Sequence, residues 1–265
     1  MKKLHYKIYI ILIMLFLYLP IAVLIAFSFN SDKTSVWKGF SLKWYFELFN
    51  DRSIMTSLMN SIIIASLSSI IATVFGTASA IGIYNFKGKA RSFIQTVSNI
   101  PIIDPEIVTG VSLMLLFSFV GTLFNFEMGF ITVLLAHIGF CIPYVILNVT
   151  PKLRQMDNNI YEAALDLGCS QWQAFYKVVL HEIMPGIVSG LLISFTFSLD
   201  DFVVTYFTRG SKFQTLPIEI YTMTHKRISP KINALSALIF VVILIILIII
   251  NIRERKNELK KGDNI

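Results

Sequence analysis

Residues 161–185, "YEAALDLGCSQWQAFYKVVLHEIMP", interrupt a chain that is otherwise mostly apolar. The stretch reads as helix, turn, helix. Asp157 or Asn158 can cap the first helix, and Ile160, Ala163, Ala164 and Leu167 recur at helical spacing on one face. Gly168 stands where a helix closes through a left-handed residue, a conformation open to glycine because it lacks a Cβ. Ser170 can cap the second helix, and Gln173 completes a capping box. Beyond it Trp172, Phe175, Tyr176, Val179, Leu180 and Ile183 form an apolar stripe, with Gln173, Lys177 and His181 on another face. Periodicity alone leaves two readings: an amphipathic connector lying at a membrane interface, or a docking element for a partner protein.

The rest of the chain sets the context. Of its 265 residues 55% are hydrophobic and only 15% charged, with a mean hydropathy of +0.70. A soluble domain carries about 25% charge, and here the charges sit in short segments between long uncharged runs. A run of about 18 apolar residues is enough to cross a hydrocarbon core. An all-α polytopic membrane protein follows, forming one transmembrane domain over 1–265. Six spans are expected, at about 8–29, 56–83, 103–122, 129–150, 186–207 and 232–252. The first exceeds the apolar core of a secretory signal and reads as a retained span.

Six spans place both termini on one side. If that side is the cytoplasm, segments 1–7, 84–102, 151–185 and 253–265 hold 14 of the 23 basic residues, and the outer segments hold the other nine. The bias has the sign of the positive-inside rule. It places 157–185 in the cytoplasm as a loop between spans four and five. The formal charge of +7 therefore reads as a topology signal, with no nucleic-acid partner expected. Cys141 and Cys169 fit no disulfide or metal pattern.

Glu162-Ala163-Ala164, three residues, then Gly168 resembles the EAA motif of ABC-importer permeases. After nine intervening residues that motif has Ile-x-Leu-Pro; here Val178, Val179, Leu180 and His181 stand there, a conservative change and a missing proline. "DPEIVTGVSLMLLF" (104–117), "HIGFCIPYVI" (137–146), "SFTFSLDDFVVTYFT" (194–208) and "LPIEIYTM" (216–223) extend the likeness over essentially the whole chain. It resembles the permeases of spermidine/putrescine importers, PotC type. The resemblance implies a type I ABC importer permease (MetI-like) fold in a bacterial inner membrane. It implies that Glu162, Ala163, Ala164 and Gly168 form a coupling helix docked on separate ATPase subunits. It also implies a second, homologous permease chain and an extracellular or periplasmic polyamine-binding protein, with membrane lipid around them. No phosphate loop G-x-x-x-x-G-K-[ST] occurs in the sequence, so ATP belongs to the partner and no cofactor or catalytic residue is expected in this chain.

A path for polycations needs carboxylates in apolar surroundings. Asp104 and Glu106 stand at the entry to span three, and Asp200 and Asp201 interrupt span five. Ionisable residues within a membrane are costly and usually mark function. Adjacent helical residues point about 100° apart, so one aspartate can face a cation while the other turns to a neighbouring helix, caps a break or pairs with Arg209. Phe202, Tyr206 and Phe207 can offer ring faces to an ammonium. His137, alone in span four, reads as hydrogen-bonding a neighbouring helix ahead of relaying protons. His181 reads as a solvated interfacial residue. Gly76, Ala78, Ala80 and Gly82 suggest a small-residue packing face.

Two other readings compete. Another solute such as ferric iron, thiamine or sulfate would suit the same architecture, though intramembrane acids argue against an anion. A stand-alone carrier or membrane hydrolase would leave the EAA stretch without a role, and no H-E-x-x-H or G-x-S-x-G stands in a span.

Overall fold

The computed structural model describes residues 2–33, 36–226, 230–241, 244–245 and 248. Among them the regular elements are helices: α1 (Lys2–Ser28), α2 (Lys43–Phe49), α3 (Arg52–Asn85), α4 (Gly88–Ile103), α5 (Glu106–Phe124), α6 (Phe130–Gln155) and α7 (Asn158–Asp166). There follow α8 (Gln171–Asp200), α9 (Val203–Thr208), α10 (Leu216–Lys226) and α11 (Pro230–Val241). α1, α3, α5, α6 and α8 are long and apolar enough to cross a membrane. The expected sixth span, 232–252, coincides in part with α11; apart from residues 244–245 and 248, its remainder and the basic residues from Arg253 onward lie outside the described residues.

The contacts group the chain into two compact units, Met1–Met55 with Glu219–Ile265, and Thr56–Ile218. In the first unit the α1–α2 connection is pinned by Asn30. Its carbonyl accepts from Trp44 Nε1 at 2.6 Å, its amide nitrogen donates to Val36 O, and its Oδ1 accepts from Lys38 N. In the same unit Lys231 lies 3.5 Å from Glu47 and 3.3 Å from Asp51.

The second unit is built on α6 and α8, which run antiparallel because the short α7 hairpin joins them. Gly186, Gly190, Ser194 and Ser198, every fourth residue of α8, form its buried face against α6. A Cβ on Gly186 would stand 2.8 Å from Asn148 O, and one on Gly190 would stand 3.1 Å from Val145 Cα. Ser194 then exchanges hydrogen bonds with Cys141, and Ser198 meets His137. Small residues allow this close approach where water supplies no hydrophobic drive between helices. Val145, Val149, Leu153, Val179 and Ile183 complete the core with Ala80 and Ile83 of α3. Gly186→Leu should destabilise the pair by about 1–3 kcal/mol through overpacking against backbone, read as a lower melting temperature in detergent. An unchanged melting temperature would contradict the close packing.

Several expectations need correction. The small-residue face of α3 is not 76, 78, 80 and 82. Residues two apart lie on different sides of a helix, and the buried set is Ala65, Ala72, Gly76 and Ala80, with Ala78 and Gly82 exposed. Helix bounds also shift: Asp104 and Pro105 are extended, so α5 starts at Glu106, and α6 continues through Lys152 and Arg154 to Gln155. α4 was not anticipated. The largest difference concerns 186–207. The second helix of the hairpin does not lie apart as a surface element but continues, through a π-helical segment at Phe175–Val179 and across Pro185, as the single helix α8 ending at Asp200. The expected fifth span therefore contains a break, at Asp201 and Phe202, before α9.

Candidate functional site

That break creates the site. Asp201 adopts an extended conformation (φ −62°, ψ 124°) and ends α8. Its carboxylate then caps α9, accepting from Val204 N at 3.2 Å, Thr205 N at 2.7 Å and Thr205 Oγ1 at 2.7 Å. Three donors on one carboxylate compensate its burial. The cap is anchored laterally by His137, whose Nε2 lies 2.9 Å from Thr205 Oγ1 and 3.4 Å from Asp201 Oδ2, and whose Nδ1 lies 2.7 Å from Ser198 Oγ. Thr205 gives its one hydroxyl proton to Asp201, so His137 Nε2 must be the donor to Thr205. Ser198 Oγ is in turn 2.8 Å from Ser68 Oγ of α3. A buried chain of polar groups thus ties α3, α6, α8 and α9 at the break, and His137 serves the packing role expected of it. His137→Leu removes a donor and an acceptor and strands the Ser198 and Thr205 hydroxyls. At about 1–3 kcal/mol for each unsatisfied buried group, solubilised protein should lose both yield and melting temperature. His137→Gln should recover part of both; equal behaviour of Leu and wild type would contradict the network.

With Asp201 occupied in the cap, Asp200 is the residue left pointing outward. It is exposed and lines a cavity of about 260 Å³ that also receives Asp104, Glu106 and Asp201. All four acids expected on a path meet there, from the α4–α5 junction and the α8–α9 break, and among the described residues the cavity lining contains no Lys, Arg or His. Thr109 Oγ1 donates to Asp104 Oδ2 at 3.0 Å, which orients that carboxylate. The carboxylates of Asp200 and Glu106 accept no hydrogen bond from the described residues. Arg209, a conceivable partner for either aspartate, instead donates to Phe213 O at 3.2 Å.

The walls are aromatic. Phe140, Tyr144, Phe197 and Phe202 line the cavity, with Tyr144 and Phe197 rings 4.6 Å apart. Of the rings proposed from sequence, Phe202 is present. Tyr206 and Phe207 are not in the lining, and Phe207 packs where a Cβ on Gly110 would fall. The missed rings had a signal: Phe140 and Tyr144 are four apart on α6, and Phe197 lies one helical turn before Asp200. Carboxylates against aromatic faces suit ammonium groups.

The hairpin is the second candidate feature. Asp157 caps α7 through Asn159 N at 2.9 Å, and Ser170 with Gln173 forms the capping box of α8. Gly168 has φ +87°; Cys169 N donates to Ala164 O and Gly168 N to Leu165 O, the paired bonds of a Schellman turn. Glu162 and Ala163 are exposed, and Leu167 is 86% and Trp172 74% exposed. His181 is exposed on α8 where the motif has proline, and the helix runs through it.

The family described as "Binding-protein-dependent transport system inner membrane component" matches residues 72–255. The chain belongs to that family. It is a multi-pass permease subunit of a transporter, not an enzyme, and works in a system that depends on a binding protein. The permease is 36% identical over 239 residues to the Haemophilus influenzae spermidine/putrescine transport system permease protein PotC, covering 90% of this chain and 91% of that one. It is also 36% identical over 224 residues to the putrescine transport system permease protein PotI of Escherichia coli K12, covering 83% and 80%. Among solved structures it is similar to a chain of a bacterial ABC transporter involved in the import of the acidic polysaccharide alginate, with TM-score 0.68, 18% identity and 96% and 95% coverage. It is similar also to a chain of the MetNI methionine ABC transporter, with TM-score 0.59, 17% identity and 80% and 95% coverage. The fold is that of an ABC-importer permease.

Proposed function

We propose that this permease forms half of the translocation pathway of an ATP-driven polyamine importer for spermidine or putrescine. One observation carries the reading: four acidic residues, with Asp201 held in the α9 cap, line an aromatic-walled cavity that has no basic side chain among the described residues. Polycations are the cargo such a lining favours. The relatives named for spermidine and putrescine transport support it, since their likeness runs over most of the chain.

The other half is a second, homologous permease. Separate ATPase subunits dock on α7 through Glu162, Ala163, Ala164 and the Gly168 turn, and they use the ATP, so this chain binds no cofactor. A polyamine-binding protein delivers cargo on the outer side, and both termini face the cytoplasm. Reporter fusions at residue 40 and at the C-terminus should therefore report opposite sides, and the same side for both would contradict the topology. The function is tested by reconstituting the permease with its ATPase, second permease and binding protein in liposomes. Labelled spermidine or putrescine should accumulate only with ATP, and ATP-independent or absent accumulation would overturn the reading.

A further inference from the structure

The accessible face of α6 continues past the cavity. Phe140 and Tyr144 line the cavity, and Leu147, Pro151 and Arg154 follow at steps of three and four residues, all outside the core. Cys141, Val145, Val149 and Leu153 are buried on the other side of the helix. A second recess of about 230 Å³ opens along this face between α6 and α4, where Gln95, Asn99, Thr150 and Arg154 supply its polar lining. At 1.5 Å rise per residue, Arg154 lies about 15 Å along the helix from Tyr144. The two spaces are successive positions along one helix face.

Their chemistry is opposite. Among the described residues the cavity is lined by four acidic residues and no base, and the recess by a guanidinium and no carboxylate. Arg154 Nη2 donates to Gln95 Oε1 at 3.0 Å, joining α6 to α4 across the recess. Thr150 Oγ1 is buried there without a hydrogen-bond partner among the described residues. Arg154 also stands four residues before α7, joined to it only by Met156 and Asp157 beyond the helix end. A displacement of α7 is therefore transmitted to the last turn of α6, where the Arg154–Gln95 bond sits.

We propose that Arg154 is a specificity-determining residue of the pathway, a cationic gate between the acidic cavity and the coupling hairpin. A polycation leaving the carboxylates meets the side-chain amide oxygens of Gln95 and Asn99. It passes when α7 draws Arg154 away from Gln95. Coulomb repulsion from the guanidinium scales with cargo charge, so the gate slows a trivalent amine more than a divalent one. This inference rests on the polyamine reading of the cavity.

The test uses the complete reconstituted importer and compares maximal ATP-driven uptake rates of spermidine and putrescine, each supplied alone at saturation. Arg154→Gln should raise the spermidine-to-putrescine rate ratio by on the order of three- to tenfold, while Arg154→Lys, which keeps the charge, should leave it near wild type. Gln95→Glu neutralises Arg154 without removing it, and should also raise the ratio. A residue that only caps α6 or marks topology would change both rates together. Uptake intact with an unchanged ratio in both Arg154→Gln and Gln95→Glu would overturn the gate alone. A wild-type complex that moves neither amine would overturn the polyamine reading and the gate with it.

Discussion

Asp200→Asn should slow spermidine uptake by roughly five- to a hundredfold while the complex still assembles. Asparagine keeps the shape of the side chain and removes its charge. Asp200 is exposed at the cavity and its carboxylate serves no hydrogen bond within the described protein, so its loss removes nothing from the fold. A charged hydrogen bond between carboxylate and ammonium contributes about 1–3 kcal/mol, which sets the range. Asp201→Asn should behave differently. Thr205 N and Thr205 Oγ1 both donate to Asp201 Oδ2, and Val204 N donates to Oδ1. An amide nitrogen at either position faces a donor, so this variant should lose stability and yield before it loses cargo affinity. Assembly and uptake measured side by side distinguish the two residues. Full uptake by Asp200→Asn would move the contact to Glu106 and Asp104.

The second large effect belongs to Gly168. A Cβ there would meet nothing within 4 Å, yet φ is +87°. The cost of Gly168→Val is therefore conformational, about 1–2 kcal/mol for an L-residue in the left-handed region and more with β-branching. The Schellman bonds would open and α7 would lose its angle to α8. The protein should insert normally, because the transmembrane packing is untouched, while ATPase association and cargo-stimulated hydrolysis both fall. Gly168→Asn, which tolerates the left-handed region, should retain most coupling. Normal hydrolysis and association in Gly168→Val would mean that the hairpin is a connector only.

What could be read from sequence follows from the range of the interactions involved. The α7 turn was legible because its signals are local: Asp157, Gly168, Ser170 and Gln173 each act within a few residues. The acidic residues were legible because carboxylates are costly in apolar runs. Which aspartate faces the cavity was not, since that depends on the break after Asp200, fixed by Ser68 and His137 from two other helices together with Ser198 of α8 itself. The Asp200–Asp201 pair made a capped break one of the open readings of 186–207, but hydropathy does not register which residue changes backbone conformation. α4 escaped because its charged first turn and Pro101 resemble a loop. The aromatic wall escaped because Phe140, Tyr144 and Phe197 converge only when α6 and α8 pack antiparallel.

The central claim is that cargo amines lie against Asp200 and its neighbouring carboxylates. A photoreactive spermidine analogue, bound to the assembled importer and cross-linked during turnover, tests it most directly when the labelled peptides are mapped by mass spectrometry. Labelling should fall on 140–144 and 197–204, should be displaced by excess spermidine, and should drop in Asp200→Asn. Labelling that misses both segments, or that an uncharged acetylated analogue reproduces there, would contradict the account.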